Sequence, residues 1–285
     1  MLETSVISYM FLYVRDLVGS RRFYEAKLGL RVIAQDLNSV TYDAGDVIVS
    51  LRRASDDIVL PDQNPSDYLL IFHTPDIEQT TTEISDVEMA AIDRYELGAI
   101  AELKDPDGHP LSIYQPSEKA MTRPSAERIR VILGGGAPVV RKCSPHRAAG
   151  NKLAPCELIY LFLSIRDTAE AREFYGNVLG LRSLKQPARS AGGPDDDVAR
   201  YDGGGIILTT HHSKCLSKRS TCSVNKGIAA AFNVNDIDHV VDVLSSRGLK
   251  FDSEILSADL GKVVQFRDPN NHRFLLYEPS RAGWQ

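Results

Sequence analysis

The chain has 285 residues, 43% hydrophobic and 25% charged, with a formal net charge of -5 at pH 7. At about 150 residues per domain this is enough for two domains with a core each. The ordinary composition and mild acidity give no reason to expect nucleic acid or a membrane surface as partner, and no apolar run approaches the roughly 18 residues of a membrane helix.

The opening MLETSVISYM has no basic segment followed by an apolar run, so the expectation is a cytoplasmic protein that handles small molecules. Residues 7–14 are apolar, aromatic and β-branched, and read as a strand buried on both faces. A helix is expected next, N-capped by Asp16 and closed by Gly29 in a left-handed conformation. The stretch SVTYDAGDVIVSLRR reads as a strand pair, DYLLIFHTPDIEQTTTEI as a second strand and helix, and DPDGHPLSIYQP (105–116) as the end of a closing hairpin.

Residues 117–152 carry eight Lys or Arg against two acids and are expected to form a solvated connector, with RIRVILGG a candidate for a short extra strand. The same order then begins again. LIYLFLSIRDTAEAREFYGNVLGL (158–181) repeats ISYMFLYVRDLVGSRRFYEAKLGL (7–30) at a constant offset of 151, with Tyr9, Asp16, Phe23, Tyr24, Leu28, Gly29 and Leu30 recurring as Tyr160, Asp167, Phe174, Tyr175, Leu179, Gly180 and Leu181. Asp167 with Glu170 has the spacing of a capping box. A strand pair (ARYDGGGIILTTHH), a strand and helix (GIAAAFNVNDIDHVVDVL) and a hairpin ending in DPNNHRFLLYEP (268–279) follow. By that hairpin the offset has drifted to 163, which places insertions near 190–197 and 211–226.

Each half therefore reads as two βαβββ units, and two units side by side form a cupped sheet around a pocket. The expected class is α+β: two tandem domains, 1–116 and 153–285, joined by the basic linker 117–152. The phrases VRDL…FY…LGL and DPDGH, with their second-half counterparts, resemble the vicinal oxygen chelate superfamily, which includes glyoxalase I, bleomycin-resistance proteins, fosfomycin-resistance enzymes and extradiol dioxygenases. The resemblance spans both halves, leaving out the linker and the second-half insertions. Two complete domains in a chain of this length look most like the extradiol dioxygenases.

The resemblance implies a divalent metal held by His, Gln or Glu at fixed strand positions. Those positions fall here on Tyr9 and Tyr160, Ser50 and Thr209 (or Val49 and Leu208), Leu69 and Ala229, and Ser112 and Leu275. None has an imidazole or carboxylate, so no metal and no cofactor are expected. Phe266 and Leu275 likewise stand where the dioxygenases have a tyrosine and a glutamate, and Glu278 lies three residues further on, on the opposite strand face.

What remains is a pocket of alternating inward residues in each half. In the second half these are Tyr160, Phe162, Ser164, Thr209, His211, Ala229, Ala231, Asn233, Leu275 and Tyr277, and in the first Tyr9, Phe11, Tyr13, Ser50, Arg52, Leu69, Ile71, His73, Ser112 and Tyr114. Ala229 and Ala231 leave volume, so the second-half pocket is expected to take a small aromatic or conjugated ligand. His211, His212, Cys215 and Cys222 fit no standard zinc spacing and read as a loop. His109 and His272 read as hairpin residues, the triplets Gly134–136 and Gly203–205 as flexible turns, and all four cysteines as free thiols.

Three function classes fit. The chain is a metal-free binder, existing as a monomer or homodimer; or a metal-independent enzyme using Tyr160 with His211 or His73 as acid and base; or an accessory subunit whose pockets are filled.

Overall fold

The computed structural model describes residues 2, 5–56, 58–59, 67–84, 89–122, 127–133, 156–184, 197–212, 225–258 and 261–280. The four units appear in the expected order. The first has β1 (Val6–Val14), α1 (Leu17–Arg22) continued by a π-helical turn at Phe23–Lys27, β2 (Arg31–Gln35), β3 (Ser39–Asp43) and β4 (Ile48–Arg53). A short β5 (Ile58–Val59) leads to the second unit: β6 (Tyr68–His73), α2 (Ile77–Glu83), β7 (Asp93–Tyr95), β8 (Gly98–Lys104) and β9 (Pro110–Pro116).

Helices α3 (Glu118–Thr122) and α4 (Glu127–Leu133) follow. The third unit has β10 (Glu157–Ile165), α5 (Thr168–Arg172) with a π-helical turn at Glu173–Val178, β11 (Val198–Asp202) and β12 (Ile207–His212). After β13 (Asn225–Lys226) comes the fourth: β14 (Ile228–Asn233), α6 (Ile237–Ser246), β15 (Leu256–Ala258), β16 (Gly261–Arg267) and β17 (Arg273–Pro279). No helix among the described residues is long and apolar enough to cross a membrane.

Local chemistry sets the helix ends. Asp16 accepts from Val18 N, Asp167 from Ala169 N and Glu170 N, Asp76 from Gln79 N and Asp236 from His239 N, so α1, α2 and α6 each have one open N–H group satisfied by the cap and α5 has two. Gly29 and Gly180 both have φ of 67°, the left-handed conformation that lets the chain turn from helix into strand.

The sheets join units across the halves. One sheet runs β15-β16-β17-β14-β1-β4-β3-β2 and the other β11-β12-β10-β6-β9-β8-β7. The first unit shares a sheet with the fourth through the antiparallel β1–β14 seam, and the second shares one with the third through β6–β10. This corrects the expectation that each half builds its own cup. The unit pattern leaves β1, β6, β10 and β14 each with an unpaired edge, and an edge is satisfied equally by any of the others.

Two sets of contacts make the choice specific. Ile7 N donates to Gly203 O at 2.7 Å and Leu158 N to Ala44 O at 2.9 Å, tying each first strand to a turn of the other half. The glycine triplet 203–205 is a close-approach turn rather than a flexible one. A Cβ at Gly204, whose φ is 81°, would lie 2.2 Å from Val6 Cγ1, and one at Gly205 would lie 2.5 Å from Asp46 O.

Within each half the units are joined by their hairpin turns. Tyr24 OH donates to buried Asp105 at 2.9 Å, and Arg15 N and Ser20 Oγ donate to Asp107 at 3.0 Å each. In the second half Tyr175 OH donates to Asp268 at 2.7 Å and Arg166 N to Asn270 Oδ1 at 3.0 Å. The repeated Tyr and Asp are therefore docking residues. Met10, Leu12 and Val14, with Leu161, Leu163 and Ile165, point to the helix side and belong to one apolar core drawn from both halves.

Candidate functional site

The crossed sheets decide which side chains share a cup. In β1 the buried Met10, Leu12 and Val14 alternate with partly exposed Tyr9, Phe11 and Tyr13, which face the concave side. Register then places Ala231 beside Tyr9 and Ala229 beside Phe11 on β14, Ser50 beside Phe11 and Arg52 beside Tyr13 on β4, and Leu275 and Tyr277 beside Ala231 and Asn233 on β17. This is the first cup.

The second cup holds Tyr160, Phe162 and Ser164 of β10, Thr209 and His211 of β12, Leu69, Ile71 and His73 of β6, and Ser112 and Tyr114 of β9. The ten residues expected as one second-half pocket are thus divided. Tyr160, Phe162, Ser164, Thr209 and His211 stay together, whereas Ala229, Ala231, Asn233, Leu275 and Tyr277 join Tyr9, Phe11 and Tyr13. Two alanines, both buried, stand beside Tyr9 and Phe11, whereas Ile71 and Leu69 hold the matching places beside Tyr160 and Phe162.

The first cup is an aromatic enclosure. Tyr9 and Phe11 are parallel, with centroids 5.8 Å apart and an interplanar angle of 3°, and Tyr277 stands against Tyr9 at 5.6 Å and 87°. Ala229 and Ala231 give the floor between them no bulk. The Arg52 guanidinium carbon lies 4.5 Å from the Phe11 centroid and that of Arg273 4.5 Å from the Tyr13 centroid. Ser50 is buried and bonded to Thr41 Oγ1 at 3.3 Å. Burial pushes the Tyr277 phenol up, so it is a neutral donor or acceptor.

Arg273 was missed from sequence, though it alternates with Leu275 and Tyr277 and so shares their face.

The second cup is partly roofed. Residues 127–133 form α4, which corrects the expected extra strand and solvated connector: Ile129 and Ile132 bury against Ile159 and Ile207, with Tyr160, Tyr114 and Leu184 packed around them. Apolar residues three apart on the amphipathic stretch ERIRVIL explain the helix. Tyr160 lies 5.6 Å from Phe162 at 52°, and burial pushes its phenol up to about 12. The Ser112 and Thr209 hydroxyls are buried with no hydrogen-bond partner among the described residues.

Tyr160 pairs with Ile207 and His211 with Ser164, four residues along, so the two candidate acid–base groups are about 13 Å apart at strand rise. His73 lies nearer, opposite Tyr114, and burial lowers its pKa.

The metal seats regroup as Tyr9, Ser50, Ala229 and Leu275 in one cup and Tyr160, Thr209, Leu69 and Ser112 in the other. Neither set offers the deprotonated nitrogen or oxygen ligands that a divalent ion requires near neutral pH. The residues do not fit the metal that the fold implies. Glu278 is on the helix side, accepting from Ile237 N at 2.8 Å. The acids that do gather among the described residues, Asp236, Asp238 and Glu278, lie outside both cups, with Lys262 on Asp238.

His109 and His272 are also away from the cups. His109 donates through Nε2 to Tyr13 O at 2.9 Å, which leaves Nδ1 to accept from Tyr68 OH. His272 Nδ1 donates to Asp268 at 2.7 Å. Cys156 is a buried free thiol, while Cys143, Cys215, Cys222 and Gly134–136 lie outside the described residues.

Residues 157–276 match the sequence model of the Glyoxalase/Bleomycin resistance protein/Dioxygenase superfamily. No similar sequence is found among curated proteins. Among solved structures the chain is similar to a "putative dioxygenase" from Bacillus subtilis (TM-score 0.63, 14% identity, 98% of this chain and 87% of that one). It is also similar to glyoxalase I from Zea mays (0.60, 14%, 96% and 92%) and to the cppA protein from Streptococcus pneumoniae (0.52, 11%, 96% and 98%). At these identities the likeness is one of fold. Residues 157–276 thus match this superfamily's sequence model directly, and the chain as a whole shares the fold of these structures.

Proposed function

We propose that the chain binds a flat aromatic or conjugated organic molecule, without a metal, in the first cup. The observation that carries this is the parallel Tyr9–Phe11 pair, with Tyr277 at right angles to Tyr9 and an alanine floor beside both rings. Aromatic faces attract a planar ligand by stacking, and the edge of a perpendicular ring closes the side of such a slot. The neutral phenols orient polar groups of the ligand.

The seat residues support a binder over a metal-dependent enzyme, and the separation of Tyr160 from His211 argues against that acid–base pair. The ligand site thereby moves from the second-half residues alone to a composite of both halves.

Fluorescence titration with N-phenyl-1-naphthylamine, a neutral aromatic probe with a flat naphthalene body, tests the reading. Binding should weaken roughly tenfold or more in Ala231→Leu, whose added bulk occupies the slot, and stay unchanged in Ile71→Val in the second cup. A probe insensitive to Ala231→Leu, or sensitive only to the second-cup change, overturns it.

A further inference from the structure

We infer that the second cup is a separate binding site for a small organic carboxylate, gripped by the Arg200 guanidinium and the Tyr160 phenol above a floor that carries the Thr209 and Ser112 hydroxyls. It shares no residue with the aromatic slot of the first cup.

The polar groups of this cup are unspent. On β11 the buried Ala199 and Tyr201 point to the helix side, which sets Arg200 on the concave face, paired in register with Thr209 of β12. Among the described residues the Arg200 side chain makes no ion pair or hydrogen bond, and its Nε is buried without a partner. Tyr160 OH likewise makes no hydrogen bond there. Thr209 and Ser112 are fully buried, and neither hydroxyl has a partner among the described residues. A buried hydroxyl left without a hydrogen bond is destabilising, so a purely structural floor would be better made with apolar residues.

These groups come together across the cup. Burial raises the Tyr160 and Tyr114 phenols and the Arg200 charge works against it at both, so the guanidinium of β11 is within electrostatic reach of β10 and of β9. Tyr114 OH is committed to Leu97 O at 2.8 Å, which leaves Tyr160 as the free phenol. Above the buried floor Tyr160, Phe162, Leu69 and His73 are partly exposed, so a small molecule has access between them. A group entering there meets the two floor hydroxyls, which water does not reach.

Charge sets the class of ligand. One guanidinium balances one negative charge, and its fork matches the two oxygens of a carboxylate. A phosphate monoester, with nearly two charges, would leave one uncompensated in a poorly hydrated site. The protein's own acids do not fill the place: Asp202, next along this face of β11, is taken by Arg128 Nε at 2.9 Å and by Arg182, and Glu102 is exposed on β8, toward the opposite rim. Phe162, Leu69 and Ile71 give the carbon body an apolar wall.

Isothermal titration with cyclohexanecarboxylate and its neutral counterpart cyclohexanecarboxamide tests this, since neither is flat enough for a stacking slot. The carboxylate should bind roughly tenfold tighter than the amide or better, and Arg200→Gln should abolish that preference while Arg200→Lys keeps part of it. Ala231→Leu in the first cup should change neither. Thr209→Val should weaken the carboxylate about threefold to tenfold and yet raise the thermal midpoint of the ligand-free protein, a pairing that a merely structural threonine does not give. No binding of the carboxylate at millimolar concentration, equal affinity for acid and amide, or an acid indifferent to Arg200→Gln overturns the inference. Tighter binding of cyclohexylphosphonate than of the carboxylate overturns the assigned class.

Discussion

The repeated hairpin aspartates allow an internal comparison, because Asp105 and Asp268 fill the same place with different partners. Asp268 is buried and its Oδ2 takes two charge-assisted bonds at 2.7 Å, from Tyr175 OH and His272 Nδ1. Burial works to raise its pKa, but His272, Tyr175 and the His272 N–H outweigh it and hold the carboxyl below the usual range. At Asp105 burial dominates and the pKa is raised, and its Oδ2 takes a single bond, from Tyr24 at 2.9 Å. Asp268→Asn keeps the shape but sets an NH2 donor where Oδ2 accepts both bonds, so at about 1 kcal/mol or more each the variant should lose at least about 2 kcal/mol. Asp105→Asn gives up one such bond and is relieved of a costly buried charge, so its loss should be under about 1 kcal/mol.

Urea unfolding at neutral pH measures both. The signs with pH are opposite. The Asp268 contribution is present above the unfolded carboxylate pKa near 4 and is lost as pH falls through its lower folded value, so the Asp268→Asn penalty should shrink in acid. The Asp105 contribution is present below about pH 4 and is lost as pH rises through its raised folded value. Equal penalties for the two variants at neutral pH, or an Asp268→Asn penalty that persists in acid, would refute the assignment.

Other expectations follow from the unit arrangement. Residues 1–116 made alone should form a dimer or aggregate by size exclusion, because β1 and β6 both lose their antiparallel partners, and co-expression with 153–285 should restore a one-to-one complex; a folded monomeric half would contradict the crossed sheets. Gly205→Ala sets a Cβ 2.5 Å from Asp46 O and should cost about 1–3 kcal/mol in thermal unfolding, whereas an unchanged midpoint would mean that this turn does not meet the first unit. Ile132→Ser should speed amide exchange across 127–133 and leave β10 protected, since α4 holds to the second cup through Ile129 and Ile132; equal exposure of β10 would make the helix part of the core instead.

What could be read from the sequence was whatever depends on a residue's own neighbours in the chain. The alternation of Tyr9, Phe11 and Tyr13 with Met10, Leu12 and Val14 fixes a face, Asp16 and Asp167 fix helix starts, and the seat positions follow by counting from them. Which faces meet is a different kind of question. All four units present the same apolar edge, so the repeat that revealed the units hid their partners. The signal that separates the alternatives is not periodic: Gly203–205 fits against Val6 and Asp46, residues of the other half. Read alone, three glycines look like slack.

The same distinction explains how the halves are locked and why the site is composite. Sheet seams join the first unit to the fourth and the second to the third, while the Tyr24–Asp105 and Tyr175–Asp268 dockings join the first to the second and the third to the fourth. Four units connected by four interfaces of two alternating kinds close into a ring, in which neither half can leave without breaking both sheets. A cup bounded by two halves can diverge on either side independently. The first sets Tyr9 and Phe11 beside Ala231 and Ala229 of the opposite half, while the second sets Tyr160 and Phe162 beside Ile71, Leu69 and the roof of α4. Residue 229 therefore meets Phe11 through register and not through sequence.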